Sequence, residues 1–357
     1  MHPFLLNKQI DLVDLNDVKI LMFKEDNLYN LSVPANRKNR SLSEHYKSVQ
    51  LNGYPDSLVT PQNLSSISDA RFCLSLVLAH MWSQGIDTTV LDLGAFVGDF
   101  SIQAGNLIRT FGCESKVHAF DPTEAGALIP HNIAINGLQD IVTHWELAVS
   151  NYNGLMLFNV LPGMLDAAFM SNKGAHKFNL KALVTHFSRT QYKHVYIDKV
   201  KRYFRPGKGH NLLVKGVRIA DWLEANSITN SLFCKIDIEG MDTEVIRDLL
   251  AASPKRNRHL TCIFEFNPNT FPFPRDAIGW LNLLSERFLL FDIWYSPYPA
   301  FCKAINVDDI PEFVRSIANE RIFGYTDVLM VPKDLPGVQG LSSRLMALKP
   351  GPLEYLF

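Results

Sequence analysis

The sequence lacks any pattern of paired cysteines. Its five cysteines are Cys73, Cys113, Cys234, Cys262 and Cys302, and no two of them form a C-x-x-C pair. An odd number of widely spaced cysteines indicates neither a disulfide framework nor a structural zinc site. We therefore expect a protein of a reducing compartment.

Long apolar runs and a large net charge are also missing. The first 15 residues contain no basic segment followed by an apolar core, so we expect no signal peptide. The most apolar run, residues 72–82, is too short to span a bilayer and predicts a buried helix. With 47% hydrophobic residues and a formal net charge of −1, the 357-residue chain is long enough for one large domain with a cap. These features favour a cytoplasmic protein without a membrane span.

From residue 88 onwards, strand patterns alternate with helix patterns. Strands are predicted at residues 88–96, 115–122, 141–150, 231–240, 259–267, 288–296 and 325–334, and helices at 98–112, 123–137, 219–228, 241–253 and 275–287. This alternation predicts an α/β fold with a doubly wound, mostly parallel sheet. Residues 1–70 and about 163–210 do not fit it, and we interpret them as an N-terminal cap and an insertion in a domain of residues 71–357.

A glycine turn follows the first of these strands, in the segment VLDLGAFVGDFS. In such sheets, ligands bind outside the carboxyl ends of the strands. Gly94 would let backbone N–H groups approach a ligand, Gly98 would permit close helix packing, and Asp92 can accept a hydrogen bond from a cationic amine. The segment is not G-x-G-x-x-G, because Ala95 follows Gly94, so a simple turn between strand and helix is an equal alternative.

The second strand ends in the segment HAFDP, which places Asp121 at the same edge of the predicted sheet. An acid at this position can accept hydrogen bonds from both hydroxyls of a ribose. The alternative is an aspartate that caps the helix predicted from residue 123. Together with the glycine turn, Asp121 favours a nucleoside ligand, either a dinucleotide or S-adenosylmethionine.

Three charged side chains alternate along the segment FCKIDIEG, namely Lys235, Asp237 and Glu239. Alternate residues of a strand point to one face, and burying charge is costly, so a functional site is the favoured interpretation. In the alternative, Lys235 and Asp237 form a structural ion pair and Glu239 shapes the following turn. Glu265 in IFEFN ends the next predicted strand and either shares the site or supports it.

Six segments of the chain resemble, in order, the FkbM-type S-adenosylmethionine-dependent methyltransferases. They are VLDLGAFVGDFS, VHAFDPTEAGALIPHNIAING, ELAVSNYNG, VRIADWLEANSITNSLFCKIDIEGMDTEVI, IFEFN and GYTDVLMVPKD. The resemblance implies a Rossmann-like class I methyltransferase sheet of seven strands whose last strand runs antiparallel. It also implies O-methylation of hydroxyls on sugars, polyketides or similar natural products. Phe96 stands where the family usually has asparagine, and Asp242 where it usually has glutamate.

The resemblance extends to individual residues. The cofactor-binding residues that it implies are Asp92, Gly94, Ala95, Phe96, Gly98, Asp121, Pro122 and Ala148. In this fold, the FCKIDIEG strand lies next to the VLDLG strand, so its carboxyl end opens beside the sulfonium of the cofactor. The candidate catalytic residues are therefore Lys235, Asp237, Glu239 and Glu265. Their carboxylates would orient or deprotonate the attacking hydroxyl or hold a divalent cation, and the sequence leaves the metal open.

The segment of residues 173–218 is strongly basic. It contains twelve lysines and arginines against the single acid Asp198. Aromatic residues are interleaved with these charges, namely Phe187, Tyr192, Tyr196, Tyr203 and Phe204. Stacking surfaces and positive charge suit a polyanion or a glycan, so we predict that Lys199, Lys201 and Arg202 bind an anionic acceptor. A basic surface paired with the acidic remainder of the chain is the alternative.

Three functions compete on this sequence. The first is O-methyl transfer to a sugar, glycan or related natural product, and we favour it because KIDIEG and IFEFN match the FkbM-type pattern. The second is ribose 2′-O-methylation of RNA, in which Asp237, Glu265 and lysines between residues 199 and 215 form a Lys-Asp-Lys-Glu set. The third is a methyltransferase-like binding module without catalysis, to which Phe96 points.

Overall fold

A computed structural model describes most of the predicted domain. The described residues are 10–14, 19–23, 69–161, 164–169, 210–238, 240–256, 259–293, 302–320 and 324–347. The predicted site residue Glu239 and the predicted acceptor-binding residues Lys199, Lys201 and Arg202 lie outside them.

The described strands and helices follow the predicted alternation. In chain order, the strands are β1 (Ile10–Asp14), β2 (Lys19–Phe23), β3 (Thr88–Leu93), β4 (Val117–Phe120), β5 (Val142–Trp145), β6 (Ala148–Ser150), β7 (Gly154–Leu161), β8 (Met164–Phe169), β9 (His210–Arg218), β10 (Ser231–Ile236), β11 (Leu260–Phe266), β12 (Phe288–Ile293), β13 (Cys302–Ala304) and β14 (Thr326–Pro332). The helices are α1 (Asp69–Ser83), α2 (Asp99–Phe111), α3 (Ile129–Ile135), α4 (Ile219–Ala225), α5 (Asp242–Arg256), α6 (Pro274–Arg287), α7 (Ile310–Glu320) and α8 (Val338–Ala347).

Within the described residues, eight strands form one large sheet in the order β13-β12-β14-β11-β10-β3-β4-β5. The strands β11, β10, β3, β4 and β5 run parallel to one another. In contrast, β14 runs antiparallel to both β11 and β12. If the short edge strand β13 is left out and the other seven strands are numbered 1 to 7 along the chain, their order across the sheet is 3-2-1-4-5-7-6. The fold is therefore the predicted doubly wound class I methyltransferase sheet with an antiparallel last strand, and β13 extends it by one.

Helices cover both faces of this sheet and enclose two apolar cores. On one face, α1, α2, α3 and α8 pack against strand residues such as Phe233, and on the other face α4 to α7 pack against residues such as Cys234. Because successive strand residues point to opposite faces, neighbouring residues of β10 serve different cores. All six residues of β3 are buried, as expected for a central parallel strand covered on both faces.

The predicted strand at residues 141–150 divides into two strands of different sheets. The N–H of Leu147 donates to the Trp145 carbonyl at 2.8 Å, and this tight turn separates β5 from β6. β6 joins a second sheet in the order β6-β9-β7-β8. A run of apolar residues shows that a strand is buried but not which sheet it joins, so the sequence could not reveal this division.

Both ends of the predicted insertion belong to strands of the second sheet. β8 ends at Phe169 and β9 begins at His210, and β7 pairs with both of them. The ends of the predicted insertion, about residues 163–210, therefore belong to regular strands, whereas residues 170–209 lie outside the described part of the chain.

The N-terminal hairpin of β1 and β2 is attached to α3 through two asparagine side chains. Asn136 accepts from the N–H of Lys19 at 2.9 Å and donates to its carbonyl at 2.7 Å. Asn132 accepts from the N–H of Leu21 at 2.6 Å and donates to its carbonyl at 3.0 Å. Four helical residues advance about 6 Å and two strand residues about 6.8 Å, so two amides spaced i, i+4 match alternate residues of β2.

Asn132 also connects this hairpin to the turn after β3. Its side-chain Nδ2 donates to the Val97 carbonyl at 2.8 Å, and the whole residue is inaccessible to solvent. The N-terminal segment therefore contacts, through one buried amide, the loop that follows the first strand of the large sheet.

We predict that Asn132→Ala releases β2 from α3, because it leaves three backbone groups without their partner. Leaving buried polar groups unsatisfied costs about 1–3 kcal/mol each. Hydrogen exchange of residues 19–23 should accelerate strongly, and the urea midpoint should fall. The matched variant Asn136→Ala, at a more exposed position, should have a clearly smaller effect on both measurements. Equal exchange rates in the two variants would contradict the role assigned to Asn132.

Candidate functional site

The loop between β3 and α2 is shaped by two glycines in left-handed backbone conformations. Gly94 has φ +81° and Gly98 has φ +80°, a region that favours glycine. A Cβ atom at residue 94 would overlap the Asp237 carbonyl oxygen, and one at residue 98 would lie 3.1 Å from the Ile129 side chain. Gly94 therefore allows the ends of β3 and β10 to touch, and Gly98 allows α3 to pack closely against the loop.

Phe96 occupies the third left-handed position of this loop, with φ +53°. Its N–H donates to Oδ2 of Asp121 at 2.8 Å, and its partly buried side chain packs against the core on the face of α1, α2, α3 and α8. Asparagine tolerates left-handed backbone better than other non-glycine residues, so the asparagine that is usual in FkbM-type enzymes would suit this position. Phe96 thus adopts the left-handed backbone conformation that asparagine would adopt more easily, and this conformation is strained for phenylalanine.

Asp121 organises the loop from the end of β4. Its Oδ1 accepts from the N–H of Thr123 at 2.8 Å and from its hydroxyl at 2.5 Å, while Oδ2 accepts from Phe96. Burial raises the pKa of Asp121 to about 6, although the hydrogen bonds from Thr123 and Phe96 oppose the shift. A carboxylate offers about four acceptor positions, so one position on Oδ2 has no partner among the described residues. The bonds from Thr123 show that Asp121 partly has the helix-capping role of the alternative interpretation. Its contact with a ribose stays a prediction.

Asp92 is buried near the carboxyl end of β3. Its Oδ2 accepts from the Ser101 hydroxyl at 2.6 Å, whereas its buried Oδ1 has no hydrogen-bond partner among the described residues. Burial raises the pKa of Asp92, and the positive charge of Lys235 and the Ser101 hydroxyl lower it in part. A further cationic donor at Oδ1 would stabilise the ionised form of Asp92 and oppose the effect of burial.

Lys235 lies beside Asp92 in the sheet, because the two residues are direct partners in the parallel pair of β10 and β3. The Lys235 ammonium is 2.9 Å from Oδ2 of Asp237, whose side chain is 47% exposed. Burial lowers the pKa of Lys235, but the carboxylates of Asp237, Asp92 and Asp327 outweigh it and the net shift is upward. Lys235 and Asp237 therefore form the ion pair that the structural alternative expected. The Asp237 side chain is nevertheless exposed to solvent, so a ligand can reach it.

Two further acids complete the same face of the sheet. Glu265 and Asp327 are direct partners in the antiparallel pair of β11 and β14. Lys235 pairs with Ile263, which lies two residues before Glu265. Because alternate strand residues share a face, Lys235, Glu265 and Asp327 lie on the same face of the sheet. We name Asp92, Lys235, Asp237, Glu265 and Asp327 the charged row.

The charged row brings together three of the four predicted catalytic residues. Lys235, Asp237 and Glu265 lie in it, whereas Glu239 lies outside the described residues. Sequence reasoning missed Asp327, although the expected antiparallel last strand brings the start of β14 to the edge where β10 and β11 end. The signal was present in the segment GYTDVLMVPKD, where an acid directly precedes an apolar run.

The predicted cofactor-binding residues divide between two places. Asp92, Gly94, Ala95, Phe96, Gly98, Asp121 and Pro122 belong to the β3 and β4 ends and their loops. Ala148 instead lies in the second sheet, where it is 2% exposed and packs with Met156 and Val214. Its predicted contact with a cofactor therefore has no support in this packing.

The described residues contain no group of three or more histidine, cysteine, aspartate or glutamate side chains that could hold a metal ion. Lys235 stands among the acids of the charged row, where an ammonium already supplies positive charge. None of the described helices is both long enough and apolar enough to cross a membrane.

Solved methyltransferase structures resemble this chain at low sequence identity. No family model and no curated protein matches the sequence, so the FkbM-type resemblance rests on the motifs quoted above. A precorrin-6y C5,15-methyltransferase from Geobacter metallireducens is 11% identical over 70% of this chain and 82% of its own, with a TM-score of 0.28. A candidate RNA methyltransferase from Pyrococcus horikoshii is 10% identical over 84% and 96%, with a TM-score of 0.30. Similarity this low transfers neither an activity nor a substrate.

We predict that Phe96→Val destabilises the protein more than Phe96→Asn, although valine keeps more apolar surface. A β-branched residue is strongly disfavoured at positive φ, whereas asparagine is tolerated there. The difference in the free energy of unfolding should be about 1 kcal/mol or more, measured as the shift of the urea midpoint. If valine is tolerated as well as asparagine, the loop does not hold residue 96 in the left-handed region.

Proposed function

We propose that the chain is an S-adenosylmethionine-dependent methyltransferase that acts on a hydroxyl group. The observation that carries the proposal is the position of the glycine loop against the charged row. Through Gly94, the end of β3 touches the backbone of Asp237, and through Phe96 the same loop is bound to Asp121. Groups suited to a nucleoside and groups suited to a hydroxyl therefore occupy one edge of the sheet.

The residues at the end of β3 and β4 suit this cofactor. The unpartnered Oδ1 of Asp92 would accept a hydrogen bond from its ammonium group, and the available position on Asp121 would accept one from a ribose hydroxyl. The excess of carboxylates over ammonium in the charged row favours a cationic ligand. When bound, the cofactor supplies a methyl group on a sulfonium to an attacking oxygen.

Asp237 is the best-placed described residue to receive the proton of the acceptor hydroxyl. Its side chain is half exposed, and Lys235 holds one of its oxygens at 2.9 Å. The second oxygen can take a hydrogen bond from the hydroxyl and then its proton as the new oxygen–carbon bond forms. Glu265 and Asp327 lie beside it on the same face, where they would orient the acceptor for in-line attack.

The nature of the acceptor belongs to the proposal as well. We propose a sugar, a glycan or a related natural product that carries an anionic group, which Lys199, Lys201 and Arg202 would bind. The carboxylates of the charged row would face the hydroxyl end of such an acceptor. The competing RNA function would draw its lysines from residues 199–215, of which residues 199–209 lie outside the described part of the chain, whereas Lys235 is the lysine of the charged row.

The first test is binding and transfer. Isothermal titration should detect S-adenosylmethionine binding, and labelled cofactor incubated with fractionated host extract should transfer label to glycan or small-molecule fractions. Label in RNA would replace the preferred acceptor with the RNA alternative. Absence of cofactor binding by the folded protein would leave the binding-module alternative.

We predict that cofactor affinity decreases as the pH falls below about 6, the raised pKa of Asp121. The protonated acid accepts hydrogen bonds poorly, so binding requires the ionised form and is lost on the acidic side. Near neutral pH, Asp121→Asn should weaken binding by about 1.5–3 kcal/mol, and the part of the pH dependence that belongs to Asp121 should disappear, whereas Asp92, whose pKa burial also raises, still titrates. His144 is the control, because its Nε2 is 3.0 Å from the Asp121 carbonyl oxygen. A pH dependence that persists in Asp121→Asn but vanishes in His144→Gln would assign the titration to the histidine.

We predict that Asp237→Asn lowers kcat by about 10²-fold or more, the usual contribution of a general base. Cofactor affinity should change little, because the substitution preserves shape and lies outside the β3–β4 loops. Glu239→Gln should behave in the same way if it shares the task. Asp140→Asn is the matched control, since this exposed residue precedes β5 at the opposite edge of the sheet. Full turnover in Asp237→Asn would make the pair with Lys235 structural.

A further inference from the structure

Ser101 is a buried serine that bonds directly to Asp92. It is the third residue of α2 and is inaccessible to solvent. Its hydroxyl donates to Oδ2 of Asp92 at 2.6 Å, a short distance that is typical of a hydroxyl bonded to an ionised carboxylate. The first turn of a helix also favours a negative charge beside it. Ser101 therefore fixes one oxygen of Asp92 and favours its ionised form.

The charge of Asp92 depends on a balance in which Ser101 takes part. Burial raises the pKa of Asp92, and the charge of Asp237 adds to this rise. The positive charge of Lys235 and the hydroxyl of Ser101 lower the pKa in part. Lys235 faces Asp92 from β10 and is itself paired with Asp237 at 2.9 Å. Ser101 supports the charge of Asp92 without belonging to that ion pair, so it can be changed without breaking the pair.

Other titratable groups around Asp92 belong to the same edge of the sheet. Asp121 follows β4, and the charge of Asp92 contributes to the raised pKa of Asp121. Asp99 begins α2, two residues before Ser101, and Asp237 continues β10. A change of pH acts on several of these acids at once, so an experiment has to separate the titration of Asp92 from the others.

We propose that Ser101 is a positioning residue that keeps the buried Asp92 ionised and thereby sets the pH range in which the site binds a cationic ligand. The inference rests on the proposed function for the identity of this ligand, because S-adenosylmethionine carries an ammonium and a sulfonium group. An ionised Asp92 attracts both groups, whereas a protonated Asp92 does not. Ser101 touches no ligand in this role and acts through Asp92.

The first measurement needs no ligand and compares the urea midpoints of the wild type and Ser101→Ala at several pH values. Because the folded-state pKa of Asp92 is raised above its unfolded value, stability falls as the pH rises from the unfolded-state to the folded-state pKa. Without the hydroxyl, the folded-state pKa is higher and the fall continues to higher pH. The midpoint of Ser101→Ala should therefore drop further below that of the wild type as the pH rises.

Ser285→Ala is the matched control. Ser285 is 6% exposed, and its hydroxyl donates to the Asn282 carbonyl at 2.7 Å rather than to an acid. Its loss of stability should be the same at every pH. Ser101→Thr keeps a hydroxyl, so it should keep the pH profile of the wild type, although the added methyl group lowers the stability at all pH values.

The second measurement is isothermal titration with S-adenosylmethionine in the Asp121→Asn background, where residue 121 no longer titrates. Adding Ser101→Ala should weaken binding about tenfold or more near pH 6. The loss should shrink as the pH rises, because Asp92 becomes ionised in both proteins. Methylthioadenosine lacks both cationic groups and should bind the two proteins equally.

Two outcomes would overturn the inference. One is a difference in urea midpoint between the wild type and Ser101→Ala that is the same at every pH, which would make the serine a structural residue. The other is a binding profile that Ser101→Ala leaves unshifted along the pH axis. If neither protein binds S-adenosylmethionine but the urea difference keeps its pH dependence, the proposed function fails while the hold of Ser101 on the charge of Asp92 is supported.

Discussion

The close approach of β3 and β10 at Gly94 is the constraint on which the site depends. Any side chain at residue 94 would occupy the place of the Asp237 carbonyl oxygen, and the N–H of Asp237 donates to the Leu93 carbonyl at 2.9 Å. The sheet pairing therefore continues past the regular end of β10. This continuation places the Asp237 side chain in line with Lys235 and directly beside the glycine loop.

The charged row is better explained by function than by stability. A buried ion pair contributes little net stability, because desolvation of both charges offsets their attraction. Lys235 nevertheless lies between Asp92 and Asp237, and Glu265 and Asp327 add further negative charge on the same face. An apolar set of residues would pack at lower cost, so the presence of these charges at the carboxyl edge is consistent with the proposed ligand, which has positive charge and hydroxyl groups.

Sequence reasoning reached the elements whose signals are local. The strand before Gly94, the helix that ends at Gly112 and the single face of Lys235 and Asp237 all follow from periodicity and glycine placement. Asp327 was missed, because no local pattern shows that it pairs with Glu265, and this pairing depends on the place and register of β14 in the sheet. The engagement of Asp121 by Phe96 was also inaccessible, since it joins residues 25 positions apart through the loop conformation.

The second sheet shows a case in which the sequence pattern and the structure disagree in an informative way. Leu212, Leu213 and Val214 are consecutive apolar residues, a pattern typical of a strand buried on both faces. In the folded chain, Val214 is buried while Leu213 is 63% exposed. β9 therefore carries apolar side chains on both faces, while the described residues provide a core for only one of them.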